Sequence, residues 1–169
     1  MLPSIKNILY ATDLSKNALF AFRYAMTLAN ALDAKITILY VLPMVDSAME
    51  VPIIAQMGEE MYYRLREEKS REITDNIKRK LQDFSQEELR NEQFKVEREP
   101  PILVREGDAV DEILKASDTL KIDMIVIGAH GKGILSHTFL GTVSDKLLRR
   151  SRIPVVVVPI PKGAKDIDL

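Results

Sequence analysis

No cysteine occurs among the 169 residues, which excludes disulfides, thiolate catalysis and zinc–thiolate sites together. A reducing compartment fits that absence. Charge of one sign is also missing: 24 Lys+Arg stand against 25 Asp+Glu, a formal net charge of -1. No chain-wide field therefore draws the protein to nucleic acid or an anionic bilayer. The longest apolar stretches, such as Ile153 to Ile160, are far too short to span a membrane. The opening residues, Met1-Leu-Pro-Ser-Ile-Lys6, hold no basic region, long apolar segment or small-residue cleavage site. A cytoplasmic protein that neither inserts into membranes nor binds nucleic acid is expected. Repeats, heptads and low-complexity segments are absent as well.

The composition, 46% hydrophobic and 29% charged, is that of an ordinary globular chain of one-domain length. Five segments have strand character: 7–12, 35–42, 101–106, 122–128 and 154–159. Most are continuously apolar, as in a parallel sheet covered on both faces. Between them the apolar spacing turns helical. Ser15 is a candidate N-cap for a helix running to about Leu32, with Leu19, Phe22, Met26 and Ala29 in register. The stretch 43–58 reads as a Met- and Pro-containing loop, and 59 to about 84 as a long charged helix with the stripe Ile73, Ile77, Leu81 and Phe84. Residues 85–100 read as a polar connection. Helices follow from Asp108 to about Leu120, with Val110, Ile113 and Leu114 inward, and from Thr142 to Arg150. Alternating strands and helices predict an α/β fold: a Rossmann-like open parallel five-stranded sheet, order 3-2-1-4-5, helices on both faces. One domain over 1–160, an insertion at about 43–100 and a flexible tail at 161–169 are expected. In such sheets ligands bind beyond the carboxyl ends of the strands where the strand order reverses. Here that point lies between strands 1 and 4.

The end of strand 4 is where the sequence is most specific. Gly128-Ala129-His130-Gly131 follows an apolar run, and Gly141-Thr142-Val143-Ser144 opens the last helix. Glycines admit an anion to the backbone, while N–H groups at a helix N-terminus and nearby hydroxyls donate to it. A Walker loop fails because Gly133 follows Lys132, and a dinucleotide fingerprint begun at Gly131-Lys-Gly133 fails at Ser136. The pattern present is Gly-x2-Gly-x9-Gly-Thr.

That pattern resembles the nucleotide-binding motif of the universal stress protein family, in its ATP-binding branch. The likeness extends to Ile8-Leu-Tyr-Ala11-Thr12-Asp13-Leu-Ser15, to Val104-Arg-Glu-Gly107-Asp-Ala, and to Arg152-Ile-Pro-Val-Val-Val-Val-Pro159. It is weakest over 44–100, and Asp108 departs from the residue many relatives carry in that turn. The resemblance implies ATP with Mg or Mn as cofactor and a homodimer through the last strand. The implied ATP site comprises Ala11, Thr12, Asp13, Val41, Gly128, Ala129, His130, Gly131, Lys132, Gly133, Gly141, Thr142, Val143 and Ser144.

Each residue also has a plainer reading. Asp13 either bonds the ribose or adenine end of a nucleotide or simply favours a helix dipole. Val41 offers backbone groups to an adenine edge or packs in the core. Gly128 and Gly131 serve a phosphate or a turn. The hydroxyls of Thr142 and Ser144 suit a helix cap with or without ligand. Lys132 either steadies phosphate or lies in solvent. His130 and His137, with no carboxylate or cysteine cluster beside them, make a poor protein metal site; a divalent ion is expected to come with the nucleotide phosphates.

Outside that cleft, Lys146, Arg149, Arg150 and Arg152 complement the dipole at a helix end better than they mark nucleic-acid binding. The charged helix is expected to carry pairs such as Glu60 with Arg64 and Glu67 with Arg71. Met44, Met49, Met57 and Met61 form either a surface for an unknown protein partner or a flap over the nucleotide. Val155, Val156, Val157 and Val158 would lie at a sheet edge, where an apolar strand invites another chain. No catalytic constellation is present. The expected function is an ATP-binding regulatory switch in stress response, with a slow ATPase or nucleotidyl-transfer enzyme, or a non-binding interaction module, as alternatives.

Overall fold

The computed structural model describes residues 3–44, 47–91, 99–129 and 140–159; the expected tail at 161–169 lies outside them. In chain order the elements are β1 (Asn7–Thr12), α1 (Lys16–Leu32), β2 (Lys35–Leu42), α2 (Ser47–Met57), α3 (Glu59–Asn91), β3 (Ile102–Glu106), α4 (Ala109–Thr119), β4 (Met124–Gly128), α5 (Thr142–Arg150) and β5 (Val155–Val158). The five strands form one parallel sheet in the order β3-β2-β1-β4-β5. That is the predicted architecture and order.

Strand periodicity divides the core in two. Ile8 and Tyr10 point to the face covered by α1 and α3, where they meet Phe22, Met26, Ile77 and Leu81. Leu9 and Ala11 point to the other face, against Val110, Ile113 and Ala116 of α4 and Leu147 of α5. Successive side chains of a strand leave on opposite sides, so a strand covered on both faces must be apolar throughout. No helix among the described residues is long and apolar enough to cross a membrane.

Two expectations fail between β2 and β3. The segment 43–58 is not a loop: residues 47–57 form α2, with Pro52 inside it. Ala48, Glu50, Ala55, Gln56 and Met57 are good helix formers, and their summed preference outweighs one proline. Gly58, at φ 85°, ends α2 by donating its N–H to the Ile54 carbonyl at 2.8 Å. The charged helix also runs past Phe84 to Asn91, through residues expected to be a connection. Its extension is held by Glu88, which is buried and takes both Nε (2.7 Å) and Nη2 (2.9 Å) of Arg23 on α1. Nearer the sheet, Arg66 bonds Glu50 of α2 at 2.9 Å and Glu106 of β3 at 3.2 Å.

The apolar stripe of α3 is used unevenly, because Leu81 is fully buried while Ile73 is 39% exposed. Leu81→Ala is expected to lower unfolding free energy by about 2–5 kcal/mol. Ile73→Ala should stay within about 0.5 kcal/mol of the parent in urea denaturation.

Candidate nucleotide site

The β1–α1 turn is built from three side-chain bonds. Thr12 Oγ1 accepts from the Leu14 N–H at 3.1 Å, and Asp13 Oδ1 accepts from the Ser15 N–H at 2.9 Å. Ser15 then caps α1, its Oγ accepting from the Ala18 N–H at 3.2 Å. Between them Leu14 sits at φ 60°, a left-handed conformation that costs an L residue about 1–2 kcal/mol. The two flanking bonds and the packing of Leu14 on the core offset that cost. Beneath the turn, the buried Tyr10 hydroxyl donates to the Ala18 carbonyl. Burial pushes the Tyr10 phenol well above its usual value, a hydrogen bond with Thr12 opposes the shift, and the charge of Asp13 adds to it.

Facing this turn is the start of α5. Gly141 is the N-cap, at φ -61° and ψ 151°, with no side chain capping the helix. The first intrahelical bond at this end runs from the Asp145 N–H to the Gly141 carbonyl at 2.9 Å. The N–H groups of Thr142, Val143 and Ser144 therefore precede the helical ladder, as the leading donors of any helix do. A third wall comes from α4, which Asp108 caps by accepting from the N–H groups of Val110 (3.0 Å) and Asp111 (3.1 Å). The departure at Asp108 thus supplies an N-cap.

These elements enclose a pocket of about 370 Å³. Of the residues expected in the site, Ala11, Thr12, Asp13, Val41, Gly128, Gly141, Thr142, Val143 and Ser144 line it. Ala129 does other work: its N–H donates to the Val158 carbonyl at 2.8 Å, and its own carbonyl accepts from the Gly141 N–H at 2.8 Å. His130, Gly131, Lys132 and Gly133, and His137 beside them, lie outside the described residues. Sequence reasoning missed Ala18, Leu39, Ala109, Ile113 and Ile127 in the wall. Leu39 and Ile113 had detectable signals, one lying two residues before Val41 on the same strand face and the other in the apolar stripe of α4.

Ser144 has a more particular role than either reading of it. Its hydroxyl is buried and donates to the Gly128 carbonyl at 3.0 Å, with the Ala129 carbonyl at 3.4 Å. A hydroxyl has one proton, and here that proton ties the end of β4 to the start of α5. Thr142, by contrast, is exposed at the pocket rim. Asp13 is the one charged side chain among the described lining residues. An anion's charge would accordingly be met by backbone dipoles rather than by a lysine or arginine of the described wall.

A parallel α/β sheet with a cleft at the reversal of strand order, flanked by a helix N-terminus, defines the class of Rossmann-like α/β folds. Within that class the family is resolved: the model of the universal stress protein family matches residues 4–159, and the chain belongs to that family. Among curated relatives, universal stress protein MJ0531 of Methanocaldococcus jannaschii is 29% identical over 157 residues, covering 93% of this chain and 84% of the relative. Universal stress protein MJ0577 of the same organism is 26% identical, covering 90% and 94%. The solved structure of MJ0577 has a TM-score of 0.63 at 25% identity, covering 94% of this chain and 99% of that one. The universal stress protein UspA of Lactobacillus plantarum shares the fold, with a TM-score of 0.65 at 21% identity, covering 93% and 99%.

In the absence of any ligand, Ser144→Ala is expected to lower stability by about 1–3 kcal/mol, because the Gly128 carbonyl loses a buried donor. Thr142→Ala, at the exposed rim, should shift the urea midpoint far less; equal losses would contradict the assignment of Ser144 as the tie.

Proposed function

We propose that this protein binds ATP in the pocket between β1 and β4 and acts as a cytoplasmic, nucleotide-dependent regulatory switch in stress response. The observation that carries the reading is the first turn of α5, whose leading N–H groups precede the helical ladder on a pocket wall opposite Asp13. Helix N-termini of this kind suit phosphate. The apolar remainder of the wall, including Leu39, Val41 and Ile113, suits a base and offers it shape without charge. Asp13, in the pocket wall, is the acceptor this reading assigns to the ribose hydroxyls. No group of three metal-type ligands occurs among the described residues, and Asp13 is one carboxylate, so Mg or Mn would be held mainly by phosphate oxygens and water. Related folds take other adenine nucleotides: one universal stress protein was solved in complex with cAMP.

Switching follows if ATP prefers one conformer, and the shift cannot exceed that preference. The alternative, a slow ATPase or nucleotidyl-transfer enzyme, needs a base at the attacking water. Asp13 is the residue the pocket offers, and one of its oxygens already accepts from Ser15. Steady-state ATP turnover near background with Mg or Mn supports the switch.

Thr142→Pro tests the phosphate claim without disturbing the fold. Proline is favoured at the first helical position, and Gly141 at ψ 151° already has the extended conformation a following proline requires. Loss of the Thr142 N–H should weaken ATP binding about tenfold or more in calorimetry while the urea midpoint holds. Unchanged ATP affinity would count heavily against the site. Nucleotide in the extract of freshly purified, denatured protein is expected as well.

The proposed assembly is a homodimer through β5. That strand is at the sheet edge, and Val155, Val156 and Val157 on it are half-buried, an apolar edge that pairing with a second copy would cover. Light scattering on Val156→Lys, with far-UV circular dichroism matching the parent, should report a monomer; a dimer of unaltered mass would refute this contact.

A further inference from the structure

Exposed apolar surface is concentrated on one part of the molecule, away from β5. Met44, Val51, Ile53, Met57, Met61 and Leu65 are all more than 40% exposed, and Val51 reaches 68%. They belong to α2, the residue leading toward it and the first turns of α3. Clusters of this kind on a folded surface mark sites of association, and the thioethers of Met44, Met57 and Met61 adapt to varied shapes.

The charge around the patch narrows the occupant. Between residues 44 and 65 the sequence carries Asp46, Glu50, Glu59 and Glu60 against the single cation Arg64. Glu50 is neutralised by Arg66. Glu59 and Glu60 are exposed. The pair expected between Glu60 and Arg64 does not form: the Arg64 guanidinium lies 3.2 Å from Met61 Sδ instead, although Glu67 and Arg71 do pair at 2.5 Å. The apolar patch therefore has an acidic border with two carboxylates in no ion pair among the described residues. Anionic lipid is repelled by that border. A second copy presenting the same face meets like charge.

We infer that the α2–α3 face docks a partner helix whose apolar stripe is bordered by Lys or Arg. Such a helix lays its apolar side chains on Ile53 and Met57, four residues apart on one side of α2, and on Met61 of α3, in the manner of amphipathic-helix recognition, and sets its cations against Glu59 and Glu60. The acidic border speeds encounter and selects orientation, and the apolar contact supplies most of the affinity.

The test uses the full chain and a fluorescein-labelled amphipathic leucine–lysine peptide, with a leucine–glutamate peptide of the same pattern as comparison, read by fluorescence anisotropy. The lysine peptide should bind at least about tenfold more tightly than the glutamate peptide. Ile53→Asn with Met57→Asn should weaken it about tenfold, and Glu59→Gln with Glu60→Gln should weaken it several-fold while flattening its salt dependence. Both pairs are exposed, so far-UV circular dichroism and ATP binding should match the parent. Equal binding of the lysine peptide by parent and Ile53→Asn/Met57→Asn protein overturns the proposal, as does preference for the glutamate peptide. So does a doubling of sedimenting mass, or binding to anionic vesicles, that the same two asparagines abolish.

Discussion

Everything at the candidate site follows from β1 and β4 lying side by side at the centre of the sheet. Parallel neighbours require crossovers, crossovers are right-handed, and the chain must therefore run outward from β1 in one direction and from β4 in the other. The helices after these strands diverge to opposite faces: α1 packs with Ile8 and Tyr10, α5 with Leu9 and Ala11. Neither helix can fill the space directly beyond the strand ends. The pocket is the gap their divergence leaves, and its donors are the helix start that borders it.

Two kinds of bond keep that gap in shape. One is local: Thr12, Asp13 and Ser15 accept from the backbone N–H groups of Leu14, Ser15 and Ala18, which lets Leu14 hold a left-handed conformation at the rim. The other spans the chain: Ser144 ties α5 to the carbonyl of Gly128, sixteen residues earlier. Both sets are internal, so the described walls of the pocket are held by the chain's own bonds. The helices between β2 and β3 are attached differently, through Arg23 with Glu88 and through Arg66 with Glu50 and Glu106. Arg66 reaches the last residue of β3, and the turn after it, Gly107 and Asp108, leads directly into the pocket wall at Ala109. The helices between β2 and β3 are thus joined by ion pairs to α1 and to the end of β3.

Strands and caps were readable because their physics is local. The ranges 7–12 and 35–42 coincide with β1 and β2, Ser15 caps α1 as expected, and α5 begins at Thr142 as expected. The errors fall where local rules compete. The segment 43–58, with Pro43 and Pro52, read as a loop, yet residues 47–57 form a helix. The polar run after Phe84 argued for a connection, yet Arg23, sixty-five residues away, holds it as helix.

Residue order was sufficient for the glycine spacing, the parallel sheet and the strand at which its order reverses, since periodicity, turn chemistry and handedness act over short stretches or on every chain alike. It could not say that the proton of Ser144 is already committed to Gly128, that Glu60 and Arg64 stay apart, or that Leu39 and Ile113 share a wall with Asp13. Those facts depend on side chains from distant segments competing for the same partners, and such competition exists only once the chain has folded.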